Sequence, residues 1–392
     1  MTETGIIKET LYTPVTHTCQ VLVAGGGIAG ISAALAAARA GKKTILLERG
    51  FLLGGLATVG MVAIYLPIAD GRGRQASFGI AEELLQLAKR YKAENCFPFS
   101  WRKEGMSEED KQKHGGICVK YNPNDYALTL EQLLRQAGVH ILYGTVAAAV
   151  VREGDRIQSV IVQNKSGRTA IKTDFVVDAT GDADIFEAAG GKTVLCPHKN
   201  PVAAWYMFSK GDAPQLRILG EADSPEEASP VSKKRFSGVT GEDLSQAAQA
   251  AHEAILEEID REKGQGVYDL LCLPGIPQMR MTRRILGAYT IPNVPEKVYE
   301  DSIGMVASWR KRGVIYEIPF RSLYSPEFSN LITAGRSLSA ELVMWDICRV
   351  IPACAVTGQA AGLAAAFGED VRTLSVSRLQ KALGEQGVKW HL

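Results

Sequence analysis

Three glycines, Gly25, Gly27 and Gly30, stand in the spacing G-x-G-x-x-G between a short apolar run, Gln20–Val23, and an alanine-rich run, Ile31–Ala40. A strand, a tight turn and a helix in that order can serve a dinucleotide for three reasons. The first glycine allows the turn, the second lets backbone approach a pyrophosphate, and the third lets the helix pack closely on the strand. The next apolar run, Thr44–Leu47, ends on Glu48 and Arg49. A carboxylate at that position can accept hydrogen bonds from a ribose. A second glycine cluster follows in Leu53-Gly54-Gly55-Leu56-Ala57-Thr58, and two separated sites of close backbone approach suit a long, extended ligand. Gly71-Arg72-Gly73 and Gly264-Gln265-Gly266 lack a preceding strand, so a single dinucleotide is the simplest count.

The elements that must hold these residues read as alternating strand and helix. Gly41 stands where the first helix would stop. Ile80–Tyr91 has the period of an amphipathic helix, and the charged, glycine-punctuated stretch Trp101–Gly116 reads as a surface loop or lid. Asp125–Ala137 predicts a helix capped by Asn124 or Asp125. Strands follow at His140–Tyr143, Val146–Val151, Ile157–Val162 and Thr169–Val177, and the run closes on Asp178-Ala179-Thr180-Gly181-Asp182. Gly211–Gly241 turns rich in Pro, Ser, Glu and Lys and reads as a linker or excursion, before a helical pattern resumes over Glu242–Lys263. A short strand, Leu331–Ala334, leads to Gly335-Arg336, and Pro352–Phe367 is so uniformly small and apolar that a helix there must be buried on most of its circumference.

Composition narrows the classes. The chain has 392 residues, with 44 Lys plus Arg against 43 Asp plus Glu, and a formal charge of +1 gives no electrostatic case for nucleic acid or an anionic membrane. With 46% hydrophobic and 22% charged residues it reads as globular. The longest apolar run, Val59–Ala69, is about half the ~20 residues that cross a bilayer. The N-terminal stretch Met1–Thr18 is not built like a secretory signal, so a cytoplasmic protein is expected. Seven scattered cysteines with no C-x-x-C spacing argue for reduced thiols over disulfides, zinc or iron–sulfur clusters.

The chain resembles the FAD-dependent oxidoreductase family of the glutathione-reductase-like superfamily, in the branch related to succinate dehydrogenase and fumarate reductase flavoproteins. The resemblance covers nearly the whole chain. It rests on Val21–Gly30, Leu53–Thr58, Arg280-Met281-Thr282-Arg283-Arg284-Ile285-Leu286-Gly287, Asn330–Arg336, and Arg349–Cys354 running into Gly358-Gln359-Ala360-Ala361-Gly362. It implies an α/β fold with a discontinuous Rossmann-like FAD-binding domain (17–65, 118–198 and 320–392) and an inserted α+β substrate domain (66–117 and 199–319). It also implies a cofactor set: Gly25, Gly27, Ile28, Ala29 and Gly30 on the pyrophosphate, Glu48 on the adenosine ribose with Arg49 next to it in the set, backbone near Val146 on the adenine, and Ala334, Gly335 and Arg336 along the ribityl chain. Gly54, Gly55, Ala57, Thr58, Ala179 and Gly181 join that set, and Val350 and Ile351 open a helix aimed at the pyrimidine edge of the flavin. Pro352 in the first turn of that helix sacrifices no hydrogen bond, which leaves an anion-favouring end. Some relatives attach FAD through a histidine near the second glycine cluster, but residues 18–113 contain none, so FAD is expected to be non-covalent.

The reaction candidates are fewer. Reading Met279–Gly287 as one strand puts Arg283 on an apolar face, where an arginine is either paired in the core or set to bind an anionic substrate. Arg349 precedes the flavin-facing helix, and either stabilises growing negative charge or pairs with Asp346 or Glu341. His198 and His114 are candidate proton donors whose ordinary reading is structural or exposed. Tyr316 can offer a hydroxyl or simply fill the core, and the Cys348–Cys354 spacing is unlike a flavoprotein dithiol. The expected reaction is hydride transfer between flavin N5 and a carbon of a small organic substrate, with Arg283 and Arg349 favouring an acidic one. A thiazole-synthase-like dinucleotide enzyme and a flavin subunit of a larger electron-transfer complex are the alternatives. The electron acceptor or donor and any homo-oligomer stay open, and neither nucleic acid nor membrane is expected as a partner.

Overall fold

A computed structural model describes residues 5–89, 119–211, 214–220, 231–264 and 268–392. The expected lid Trp101–Gly116, His114, Cys96 and Cys118 lie outside the described residues.

The core is a seven-stranded sheet. Four strands run parallel in the order His140–Leu142, Thr44–Leu47, Val15–Ala24, Gly167–Asp178, and the antiparallel strands Arg156–Asn164 and Val146–Glu153 continue that edge. The first strand begins at Val15 instead of Gln20, because it pairs in parallel along nearly all of the 12-residue strand Gly167–Asp178. Its exposed first residues carry no apolar signal. Gly167–Asp178 has two neighbours on its other side: its first half pairs with Arg156–Asn164 and its last three residues pair with Leu331–Thr333. Asn330 fills the fork. Its Nδ2 donates to Ile157 O (2.8 Å) and Asp174 O (2.9 Å), while its Oδ1 accepts from Ile157 N (2.8 Å). The backbone groups of Ile157 and the carbonyl of Asp174 at the divergence thus find partners in its side chain.

Two helices lie together on this sheet. Ile28–Arg39 is buried through its first ten residues, and Ile351–Phe367 is buried from Pro352 to Ala366, as the small-residue run predicts. They meet backbone to backbone: a Cβ at Gly358 would overlap Ala29 O, and one at Gly362 would overlap Ala33 O. The preceding helix, Leu342–Cys348, meets Ile351–Phe367 at 86°. Among the described residues no single helix is long and apolar enough to cross a membrane.

A separate hydrophobic cluster forms within residues 202–279. Tyr206–Ser209 is the middle strand of an antiparallel sheet with Pro214–Arg217 and Asp269–Cys272, and helix Gly241–Lys263 packs Ala247, Ala251 and Ile255 against Tyr206 and Phe208. The hairpin Ser302–Ala307 and Ile315–Pro319 instead packs Ile303, Val306 and Ile318 into the cluster that holds the Ile351 helix.

Three local expectations are corrected. The helix expected over Asp125–Ala137 is Pro123–Gln136, capped by Asn122, whose Oδ1 accepts from Asn124 N at 2.9 Å; Pro123 loses nothing in the first turn. The segment read as linker contributes Pro214–Arg217 to a sheet, since hairpin pairing overrides its polar composition. Met279–Gly287 is not one strand. Only Arg283–Ile285 pairs, with Thr193–Leu195, while Asn200 Oδ1 accepts from both Arg280 N (2.8 Å) and Met281 N (2.9 Å) and replaces the ladder.

Asp178 ends the central strand and organises the loop after it. Its Oδ1 accepts from Thr180 N and Thr180 Oγ1, and its Oδ2 from Ile185 N and Phe186 N, which caps helix Asp184–Ala188. Burial pushes this carboxyl up from 3.8 to about 6, against the pull of those donors. Asp178→Asn should cost about 2 kcal/mol at pH 7.5, because an amide offers one acceptor oxygen where two are used. The folded protein binds the Asp178 proton more tightly than the unfolded chain, so the wild type gains stability from this group as pH falls through about 6. Denaturant melts should therefore show the gap to the variant widening by roughly 1 kcal/mol at pH 5. A constant gap would contradict this.

Candidate functional site

A cavity of about 610 Å³ opens at the C-terminal ends of the parallel strands, where open α/β sheets bind ligands. Its lining draws on stretches some three hundred residues apart in the chain: Ala24–Ala29 and Leu47–Leu52, then Gly54–Ala57, Ala179–Asp182, Ala334–Arg336, and finally Arg349, Ile351 and Cys354.

The glycine turn is demanded partly by the protein and partly not. Gly25 has φ +107°, and a Cβ there would overlap Ala179 O; a Cβ at Gly30 would overlap Gly25 O. Gly30 thus seats helix on strand without lining the cavity. Gly27 differs. It lines the cavity at an ordinary φ of −72°, and a Cβ there would meet no atom within 4 Å. The turn opens directly into Ile28–Arg39, whose first turn has neither a side-chain cap nor an acidic residue. Its free N–H groups and positive dipole end favour an anion.

Glu48 is fixed by backbone: Oε2 accepts from Gly26 N (2.9 Å) and Oε1 from Gly50 N (2.6 Å). Each oxygen keeps a further lone pair for a hydroxyl. Arg49, Thr145, Val146 and Ala147 line the same end, with Phe51, 77% exposed, at its mouth. The second glycine cluster is bound to the first, since Gly54 N donates to Gly26 O at 2.8 Å. Thr58 supports it from beneath, bonding Leu53 O through Oγ1, and does not line the cavity.

Farther along, Arg336 passes over Gly181 (φ +84°), donates to Met279 O, and lies 3.4 Å from Asp182 Oδ1, which also accepts from Thr282 Oγ1 at 2.6 Å. Gly335 N donates to Thr357 Oγ1 on the Ile351 helix (3.0 Å). The strap Gly275–Met279 crosses this region, with Gly275 N donating to Val59 O at 2.8 Å; Gly275, Ile276, Pro277 and Met279 line the cavity with Leu244.

The last end is electropositive. The Ile351 helix starts at Val350 with no side-chain cap, no acid in its first turn and Pro352 in place. Beside it Arg349, with a side chain only 7% exposed, is held by Asp346 Oδ1 through Nε (2.8 Å) and Nη2 (2.7 Å). Burial pushes the Cys354 thiol up to about 11 despite the pull of Arg336 and Arg349, and burial pushes Cys348 up as well. Neither is a ready thiolate.

The remaining candidates stand apart. Arg283 donates from Nε to Asp182 O (2.8 Å) and from Nη2 to Asp184 Oδ1 (2.7 Å), with Glu187 at 3.4 Å. Tyr316 is buried and donates to Asn293 Oδ1 at 2.9 Å. His198 sits on a turn whose carbonyl accepts from Arg235. Among the described residues that line the cavity, none of these three appears, nor does Val350. Conversely, Asp182, Phe51, Met279, Leu244 and the strap line it unforeseen. Only Asp182 had a sequence signal, closing a strand beside Gly181.

These residues fit FAD. An uncapped helix end meets backbone glycine where a pyrophosphate needs donors, a fixed carboxylate stands one step away for a ribose, and a second uncapped helix end waits at the far side for a flavin. Gly27 carries the test, because nothing in the folded chain requires glycine there. Gly27→Ala should melt within about 0.5 kcal/mol of the wild type without cofactor yet bind FAD at least tenfold more weakly, whereas Gly25→Ala should be destabilised outright. Thermal melts and fluorescence titration with FAD separate the two. Unchanged FAD affinity in Gly27→Ala would refute this assignment.

The family model described as FAD dependent oxidoreductase matches residues 20–204 and 239–383. No curated protein matches the chain. Solved structures similar to it include a geranylgeranyl bacteriochlorophyll reductase-like protein from Thermoplasma acidophilum, at 14% identity over 96% of this chain and 93% of that one (TM-score 0.47). The anhydrotetracycline hydroxylase OxyS from Streptomyces rimosus aligns at 13% identity over 94% and 66% (TM-score 0.43). A flavocytochrome c3 fumarate reductase aligns at 14% over 90% and 79% (TM-score 0.42). By the family match, which spans most of its length, the chain belongs to the FAD dependent oxidoreductases: it is an enzyme and its cofactor is FAD.

Proposed function

We propose that the protein exchanges a hydride between a small acidic organic substrate and the N5 of a non-covalently held FAD. The observation that carries this reading is the coincidence, at one end of the cavity, of the uncapped Ile351 helix and the fixed cation of Arg349. Bound flavin supplies the hydride chemistry.

The chain's own residues bind, orient and exclude water. The N–H groups at the start of Ile28–Arg39 and the open face of Gly27 receive the pyrophosphate, and Glu48 accepts ribose hydroxyls with its unused lone pairs. Arg336, bonded to Asp182 and to Met279 O of the strap, offers a donor and Asp182 an acceptor to the ribityl hydroxyls. The strap and Leu244 cover this stretch, and the lower local dielectric strengthens each polar contact. Arg349 and the Ile351 helix end favour negative charge, either on the reduced cofactor or on a substrate carboxylate. The absence of histidine over residues 18–113 supports non-covalent attachment near the second glycine cluster.

The deciding measurement is a visible spectrum of the purified protein before and after acid precipitation, followed by anaerobic reduction with paired acid and amide substrates. Flavin should move to the supernatant and identify as FAD. Acids should reduce it faster than their amides, and Arg349→Gln should slow that reduction about a hundredfold. A colourless protein that FAD neither binds nor stabilises would overturn the reading and favour the thiazole-synthase-like alternative.

A further inference from the structure

The cation at the flavin end of the cavity is not a lone arginine. Asp346, buried in helix Leu342–Cys348, binds Arg349 with Oδ1 and Arg310 with Oδ2. Trp309 lies close to both cations, with the Arg310 guanidinium 4.3 Å and the Arg349 guanidinium 5.4 Å from its ring centroid, and its Nε1 donates to Asp346 O at 3.1 Å. Only Arg349 lines the cavity. One buried carboxylate thus binds two guanidinium groups, and the aromatic ring lies against both.

We infer that Asp346 is a positioning residue that sets how much positive potential Arg349 delivers to the flavin, with Arg310 as the counterweight on its other oxygen. The inference rests on the placement of the flavin at the Arg349 end of the cavity proposed above. Reduction of the flavin by two electrons and one proton adds one negative charge, so a fixed cation nearby stabilises the reduced form and a fixed anion opposes it. Asp346 does both: it aims the Arg349 guanidinium into the cavity and offsets part of its charge. Arg310 draws on the same carboxylate and weakens that offset. A unit charge at this range, in a site of effective dielectric about 20, alters an equilibrium by tenfold or more.

The signs separate this role from a purely structural one. Asp346→Asn keeps one oxygen for Arg349 and removes the opposing charge, so the bound flavin should become easier to reduce. The expected change is about tenfold in the oxidised-to-reduced equilibrium, which for a two-electron couple is about 30 mV upward. Arg310→Gln, at a side chain 37% exposed, should leave the fold intact and move the midpoint the other way, by about threefold. Arg349→Gln should lower it as well.

The experiment is spectroelectrochemical reduction of the FAD-loaded full chain with dithionite and mediator dyes, with a thermal melt of each variant beside it. Opposite shifts for Asp346→Asn and Arg310→Gln support the inference, and if Asp346→Asn does not fold, a downward shift in Arg310→Gln decides it. Melting temperatures that fall while both midpoints stay at the wild-type value would overturn it, as would shifts of the same sign. A wild-type protein that binds no FAD fails earlier, at the spectrum. One that binds FAD and shifts in Arg349→Gln but in neither of the other two variants sinks this inference alone, whereas no shift in Arg349→Gln sinks the flavin placement on which it rests.

Discussion

Everything in the site depends on how closely two helix backbones approach. Gly358 and Gly362 put the Ile351 helix directly on the carbonyls of Ala29 and Ala33, with no side chain between. That contact brings residues 334–354 to a turn at residues 25–30, more than three hundred positions earlier in the chain. A single methyl at either glycine would have to push the helices apart, and close-packed interiors transmit such a shift instead of absorbing it. The cost would fall on the cavity, because Gly335 N is tied to Thr357 on the same helix.

The Asn330 fork and the Asp178 loop serve the same geometry from the sheet side. Asn330 lets one strand serve two neighbours by bonding Ile157 and Asp174 at the fork, so Leu331–Thr333 can deliver Ala334, Gly335 and Arg336 to the strand ends. Asp178 fixes the next loop, so that Asp182 meets Arg336 and Thr282. Both are buried polar groups with their partners in place, which specify position as well as contribute stability.

Local signals carried much of this. The glycine turn, the carboxylate after the second strand and the small-residue helix are each written within a few dozen residues, and each forms where its pattern puts it. Features that depend on a distant partner were hidden. Asn200 replaces strand pairing at Arg280 and Met281 from some eighty positions away, so alternation over Met279–Gly287 could not show which way Arg283 points. The strap meets Val59 across more than two hundred positions, and nothing in Gly275-Ile276-Pro277 has a period to announce it. Arg349 carried a legible pairing with Asp346 three residues before it, but Arg310 came from another hairpin.

The split lining has a consequence for biosynthesis. Ribosomes release a chain from its N-terminus at a few residues per second. The glycine turn and Glu48 emerge first, yet Gly335, Arg336, Arg349 and the Ile351 helix follow only some three hundred residues later. A nascent chain of three hundred residues thus owns half a nucleotide site and no flavin end. Cofactor loading must wait for residues 335–354, and until the Ile351 helix docks, the first helix must wait with its apolar face uncovered, a natural point for a chaperone to engage.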